Sequence, residues 1–247
     1  MTKDGVRDFI AAEYTLSENY VHGLAAFGPR LKKFRKPAFL PGLKPRASCG
    51  KFCEYEAAGA SCIFFEDQVW PKRCGHMEGK QVISAEEHAQ KIRAACDARI
   101  DKNTLIMART DTRAINGFED AVRRGHLYAE AGAEALFIEA LRDRREVEAI
   151  AKEFAGSGVY LFANMIEGGK TPIISAGELK AMGYAGVFWS CASLYLVAKT
   201  LLTHFKTLQE TGTSDAFLGE MLPFAEFNRF IGLNAYRELE QKYCVRH

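Results

Sequence analysis

Between Ile63 and His76 the chain gathers two adjacent carboxylates, two cations, a thiol and an imidazole. A short apolar run from Cys62 to Phe65 reads as a buried strand, and it ends on Glu66 and Asp67. The loop after it contains Pro71 and carries Lys72, Arg73, Cys74, Gly75 and His76. Carboxylates at the C-terminal end of a strand, followed by a cysteine flanked by cations, are how an α/β enzyme assembles chemistry. Two cations and an imidazole beside Cys74 favour its thiolate, which can act as a base or a nucleophile. The alternative is that Cys74 is simply one of seven cysteines and happens to lie in a loop. No second Cys or His pair stands at ligand spacing, which argues against a zinc site.

The elements that must position these residues follow from the apolar periodicity. Glu54 to Ala60 reads as a helix end with Gly59 as its stop. Ser84 and Glu87 form a capping-box pattern for a helix reaching about Arg99. Strands are expected over Thr104–Ala108, Ala135–Ile138, Tyr160–Ala163 and Gly186–Trp189, each a short run apolar on both faces, as a parallel sheet covered by helices requires. Helices are expected over Gly117–Ala131, Arg144–Phe154, Ser175–Met182 and about Ser193–Glu210. Polar residues recur at the strand ends: Glu66, Arg109 with Asp111, Glu139, Asn164 and Ser190. Successive βα units of a (β/α)8 barrel place their functional residues in this way. The fold class is therefore α/β, of (β/α)8 TIM-barrel type, but only five units are recognisable where a closed barrel needs eight.

The order Glu66-Asp67-Gln68, then Lys72-Arg73-Cys74-Gly75-His76, resembles the signature of the isocitrate lyase and phosphoenolpyruvate mutase superfamily. Methylisocitrate lyases carry Lys-Arg-Cys-Gly-His at this place, and the wording from Glu66 to Val82 is similar to that of members described as carboxyvinyl-carboxyphosphonate phosphorylmutases. The match continues through Met107–Asp111, Phe137–Ala140 and Ala163–Pro172. It covers roughly Cys53 to Tyr243, while the first fifty residues do not match. The resemblance implies a carbon–carbon lyase of the oxo-acid-lyase type, acting on a 2-hydroxy or 2-alkyl malate or a methylisocitrate-like acid and releasing an α-oxo acid such as pyruvate. Oxaloacetate hydrolase, a phosphonomutase-like enzyme and a catalytically inactive homologue are the alternatives. The cysteine in the loop favours lyase over phosphonate mutase.

By the same resemblance Cys74 supplies or removes a proton, Arg109 grips a carboxylate, and Glu139 orients the arginine and the substrate. Gly75, His76, Asn164 and Thr171 join Arg109 in binding substrate. Glu66 matches the metal-shell glutamate for Mg²⁺ (or Mn²⁺), and Asp67 is structural. The family's principal metal aspartates and its substrate-binding Ser-Gly segment precede the matched region, and no Asp or Glu lies between Glu18 and Glu54. The expectation is a truncated or mis-spliced version of a longer enzyme.

Bulk properties narrow the rest. A net charge of +2 over 247 residues points to neither nucleic acid nor a membrane surface. Seven scattered cysteines fit a reducing, cytoplasmic setting, and no apolar run approaches a membrane span. Residues 1–52 form a divergent, basic and Pro-rich segment, 53–212 the partial barrel and 213–247 a helical extension. Residues 1–24 could hold an amphipathic helix. Pro29 to Arg46 interleaves basic residues with Pro29, Pro37, Pro41 and Pro45, and reads as a solvated basic loop in preference to a nucleic-acid-binding arm. Leu218 to Tyr243 reads as long and helical, with Phe224, Phe227, Phe230, Ile231, Leu233, Tyr236 and Leu239 near a 3–4 spacing. The resemblance implies that this stripe packs on a neighbouring subunit of a homodimer or homotetramer; folding back onto its own barrel is the alternative. The partners implied are a small-molecule carboxylate and further copies of the chain.

Overall fold

The computed structural model describes residues 25–26 and 50–244. The expectations for the amphipathic helix in 1–24 and for the basic Pro-rich run lie outside the described residues. The described residues fall into two compact units, one ending at Ala192 and one beginning at Ser193.

In the first unit β1 (Ala25–Ala26) precedes α1 (Gly50–Ala57), which leads to β2 (Cys62–Glu66). Four further strands follow: β3 (Leu105–Thr110), β4 (Ala135–Ile138), β5 (Tyr160–Asn164) and β6 (Gly186–Phe188). Between them lie α2 (Ala85–Ala98), α3 (Phe118–Glu130), α4 (Arg144–Glu153) and α5 (Ala176–Met182). Strands β2 to β6 pair in parallel, each with the next in sequence, and the two-residue β1 pairs antiparallel to β6. Five parallel strands in sequential order, alternating with helices, are the arc of a (β/α)8 barrel that the sequence predicts.

Strand parity decides which residue goes where, because successive side chains point to opposite faces. Ile63, Ile106, Ala108, Leu136, Ile138, Leu161, Ala163 and Val187 pack in the core with Ile92, Tyr128, Val147, Ile150 and Leu179 of the helices. Leu105, Met107, Ala135, Phe137 and Phe162 form a second cluster on the other face. Extending the second face by two residues at a time leads to Glu66, Arg109, Glu139, Asn164 and Ser190. Extending the first from Ile63 and Phe65 leads to Asp67, which is fully buried. The adjacent carboxylates thus part company at the strand end: Glu66 joins the site face and Asp67 goes beneath the helices.

Helix ends follow local chemistry. Ser84 caps α2 by accepting the Glu87 N–H at 3.1 Å, but Glu87 pairs with Lys91 at 2.8 Å, so only half of the expected box forms. The reciprocal capping box is at Ser175–Glu178, opening α5. Such a cap contributes about 1 kcal/mol. Gly59, Gly132 and Gly183 all have positive φ after helix ends, as the stop signals required.

The second unit contains most of α6 (Ala192–Thr211), then α7 (Phe224–Phe230) and α8 (Leu233–Tyr243). The long helix read over Leu218–Tyr243 is divided. Pro223 caps the start of α7 and Gly232 adopts a left-handed conformation (φ 77°) before α8. Proline cannot donate to the preceding turn and glycine accepts positive φ without strain, so the apolar stripe is borne on two helices. Phe227 and Phe230 lie 6.5 Å apart on α7, and His204 meets Phe217 edge-on at 5.0 Å. Among the described residues no helix is long and apolar enough to cross a membrane.

Candidate active site

Arg109 is the centre of the strand-end cluster. Its Nε and Nη2 donate to the two oxygens of Asp111 at 2.9 and 3.1 Å, and Nη2 also reaches Glu139 Oε2 at 3.0 Å. Glu66 Oε1 lies 3.7 Å from the same nitrogen, and the guanidinium stacks 4.9 Å from the centre of the Phe137 ring. Burial works against the arginine's charge. The hydrogen bonds to Asp111 and the carboxylates of Glu139, Asp111 and Glu66 outweigh it and raise the pKa. The grip on a carboxylate expected of Arg109 is already engaged by Asp111 and Glu139 through Nε and Nη2.

Glu139 is nearly inaccessible (1 % exposed). Oε1 faces His76 Nε2 at 2.9 Å and the Ala140 N–H at 3.1 Å, while Oε2 accepts from Asn164 Nδ2 at 3.3 Å. Burial opposes its ionisation, but the His76 hydrogen bond and the Arg109 charge prevail and lower its pKa. Ala140 has φ 60°, a strained conformation for a residue with a Cβ, and it is the one that turns its N–H back onto the carboxylate.

His76 is held in one tautomer. The Lys170 backbone N–H donates to His76 Nδ1 at 2.7 Å, so the ring proton sits on Nε2 and donates to Glu139. The 72–80 loop is thereby tied to the loop after β5. Gly75 is packed against the same cluster: a Cβ there would lie 2.3 Å from Glu139 Cγ and 2.7 Å from both Arg109 Nη2 and Asp111 Oδ1. Lys80, 7 % exposed, fastens the loop by donating to the Gly75 carbonyl at 2.6 Å and the Met77 carbonyl at 3.1 Å. Gln68 binds the Arg73 N–H at 2.9 Å and the Arg73 carbonyl at 2.8 Å, and reaches Glu66 Oε1 at 2.5 Å.

Cys74 is exposed on this loop. The three basic groups expected to surround its thiol have other partners: Lys72 lies 3.2 Å from Glu66, His76 faces Glu139, and Arg73 donates to the Glu78 carbonyl at 3.4 Å. Cys62 differs sharply, because burial pushes its thiol up to about 12 and keeps it protonated.

Asn164 is fixed by Ser190, whose hydroxyl donates to its carbonyl oxygen at 2.8 Å. Thr171 joins Glu139 and Asn164 in lining a cavity of about 10 Å³, closed on the apolar side by Val147, Ala163 and Met165. That is room for roughly one water molecule.

Asp67 confirms its expected structural character. Its carboxylate accepts from Thr110 Oγ1 at 2.7 Å, the Asp111 N–H at 3.0 Å, Arg124 Nη1 at 3.1 Å and Tyr128 OH at 2.9 Å. Arg124 and Tyr128 belong to α3, so one buried carboxylate ties that helix to the strand end carrying Arg109. Sequence reading placed Asp111 at the strand end with Arg109, and their two-residue offset puts both on one face of an extended segment; it gave no role to Arg124, Tyr128 or Lys80.

A divalent cation does not fit the described residues. Among them no group of three His, Cys, Asp or Glu side chains could hold a metal ion. Glu66, the expected metal-shell residue, has Lys72 at one oxygen and Gln68 with Arg109 at the other. Burial raises its pKa foremost; Arg109 opposes that rise, Asp111 adds to it, and Lys72 again opposes it.

The model of the phosphoenolpyruvate phosphomutase family matches residues 51–209. The petal death protein of Dianthus caryophyllus is 45% identical over 190 residues, covering 77% of this chain and 59% of its own length. The chloroplastic carboxyvinyl-carboxyphosphonate phosphorylmutase of Arabidopsis thaliana is 48% identical over 190 residues, covering 76% of this chain and 55% of its own. A crystal structure of 2,3-dimethylmalate lyase superposes with a TM-score of 0.70 at 30% identity, covering 78% of this chain and 64% of that one. The chain therefore spans between half and two thirds of the length of these relatives. From the five-strand arc, the strand-end cluster and these matches together, the chain belongs to the phosphoenolpyruvate phosphomutase family, within the phosphoenolpyruvate mutase/isocitrate lyase superfamily.

Proposed function

We propose that the chain carries the site of a carbon–carbon lyase acting on a 2-hydroxy or 2-alkyl malate or a methylisocitrate-like acid, with release of an α-oxo acid such as pyruvate. The observation that carries this reading is the convergence of Arg109, Glu139 and Asn164 from three successive strand ends, with His76 brought onto Glu139 by the loop. Arg109 and Lys72 supply positive charge for a substrate carboxylate. Asn164, held by Ser190, and Thr171 offer neutral polar groups for a second one. In the cleavage a 2-hydroxyl loses its proton to solvent, the adjacent carbon–carbon bond breaks and a 2-oxo acid leaves. The electron pair stays on the departing carbon as an enolate, which the Cys74 thiol protonates. Exposure of Cys74 beside the cluster supports that role.

Relatives are named 2,3-dimethylmalate lyase and 2-methylisocitrate lyase, which supports lyase over mutase chemistry. A second reading, a homologue that binds carboxylates without turning them over, is favoured by the engagement of every strand-end carboxylate with internal partners. Release of 2-oxo acid from a panel of alkylmalates and methylisocitrate, followed as the hydrazone, tests the lyase reading. Turnover of any of them supports it, and none across the panel by the folded chain sinks it. We further infer a homo-oligomer in a reducing, cytoplasmic compartment. The exposed Phe224, Phe227, Phe230 and Tyr236 support the oligomer, and Cys53, Cys62, Cys74, Cys96 and Cys191, none of them in a disulfide, support the reducing compartment.

A further inference from the structure

The charges at the strand ends are balanced without a metal ion. Glu66, Asp111 and Glu139 supply three carboxylates, and Lys72, Lys80 and Arg109 supply three cations in the same cluster. Both oxygens of each carboxylate already face a donor. Glu66 faces Lys72 and Gln68, Asp111 takes the Arg109 fork, and Glu139 faces His76 and Arg109. Mg²⁺ binds oxygen lone pairs and carries two charges that need neutralising, and this cluster offers neither free carboxylate oxygens nor surplus negative charge. The Lys72 side chain is 41% exposed while its Glu66 partner is 13% exposed, so the ammonium has a solvent-facing side from which to meet an incoming anion. A Lys ammonium carries three donors, and the Glu66 contact uses one direction only.

We propose that this site takes its carboxylate ligand on Lys72 and Arg109 without a divalent cation, the Lys72 ammonium standing beside Glu66 as the mobile positive charge of the site. The proposal rests on the carboxylate-site reading given above and specifies how the ligand is held. A small planar dicarboxylate such as oxalate, which has the shape of an enolate of a 2-oxo acid, is the appropriate probe.

The test is isothermal titration of the full chain with MgCl2 alone, with MnCl2 alone, with oxalate in EDTA and with oxalate in excess Mg²⁺. Saturable oxalate binding of the same affinity in EDTA and in Mg²⁺, with no saturable heat from either metal alone, is the expected result. Lys72→Met, which keeps the aliphatic stem, should weaken oxalate by about tenfold, the loss of one charge-assisted contact, and Lys72→Arg should restore most of it. An unchanged melting temperature in both variants shows that the fold is not the cause. Oxalate binding that appears only with Mg²⁺, or saturable Mn²⁺ binding alone, overturns the metal-free site while leaving the carboxylate site standing. Oxalate affinity unaffected by Lys72→Met also overturns it. No oxalate binding under any condition overturns both.

Discussion

The backbone of Gly75 lies against the side chain of Glu139, so closely that a Cβ at position 75 would fall 2.3 Å from Glu139 Cγ. Glu139 cannot give way, because both its oxygens are tied. Gly75→Ala must therefore lift the loop that carries Cys74 and His76. Misplacement of about 1 Å lowers turnover on the order of 100-fold. Steady-state kinetics and a thermal melt on the same preparation should show that loss with little change in melting temperature. Wild-type kinetics in the alanine variant would remove the loop from the site.

Cys74→Ser should abolish lyase turnover and leave the melting temperature unchanged, since Cys74 is exposed and serine is nearly isosteric. A serine hydroxyl is a far weaker acid than a thiol and cannot replace it as proton donor to an enolate carbon. Retained turnover in this variant would end the assignment of Cys74 as the acid–base group.

Asp67→Asn should be the most destabilising of the conservative changes near the site. It leaves buried Arg124 facing an amide and breaks a four-donor arrangement, an effect of about 3 kcal/mol. Urea denaturation measures it directly. Tyr128→Phe removes one donor to Asp67 and should lower stability by roughly 1 kcal/mol. Equal effects from the two variants would mean that Asp67 is not the hub.

Acid should begin to weaken the first unit above the ordinary carboxylate range. His88 is fully buried and lies edge-on against Tyr128 at 4.7 Å. Burial first, then Lys91 and Arg124, pushes its pKa down from 6.5 to about 4. The unfolded state then binds the proton more readily than the folded one. Stability is complete above about pH 6.5 and falls as pH drops towards 4, by roughly 3 kcal/mol at the end of that window. Glu139, whose pKa is lowered, extends the loss below the ordinary glutamate range. Denaturation of His88→Leu at pH 7 and pH 4.5 should show a flatter pH dependence than the parent; the same slope in both would exclude His88.

Strands and helix stops were legible because each depends on nearby residues. The run Ala135–Ile138 is apolar on both faces and is β4 to the residue, and Gly132 and Gly183 mark ends that only positive φ could make. Position at the strand ends also made the site legible, since Glu66, Arg109, Glu139 and Asn164 each follow closely on a short apolar run. The contacts that give those residues their surroundings were not legible. Asp67 meets Tyr128 across 61 positions and His76 meets Lys170 across 94, and no local pattern encodes such pairs. Lys72 and His76 read as neighbours of Cys74 because they are adjacent in the chain, yet each side chain turns to a carboxylate instead. The Leu218–Tyr243 stripe was over-read: its periodicity is real, but Pro223 and Gly232 interrupt it.

The bond from the Lys170 N–H to His76 Nδ1 is made by main chain, which every residue except proline can supply. Selection on that bond therefore falls on spacing rather than on the identity of residue 170. A one-residue deletion between Asn164 and Lys170 would break it, whereas most substitutions at 170 would leave it intact. Gly169 bears the identity constraint in its stead, because a Cβ there would lie 2.5 Å from the same ring nitrogen. In a deep mutational scan, position 169 should look intolerant, position 170 permissive, and the length between β5 and this turn fixed.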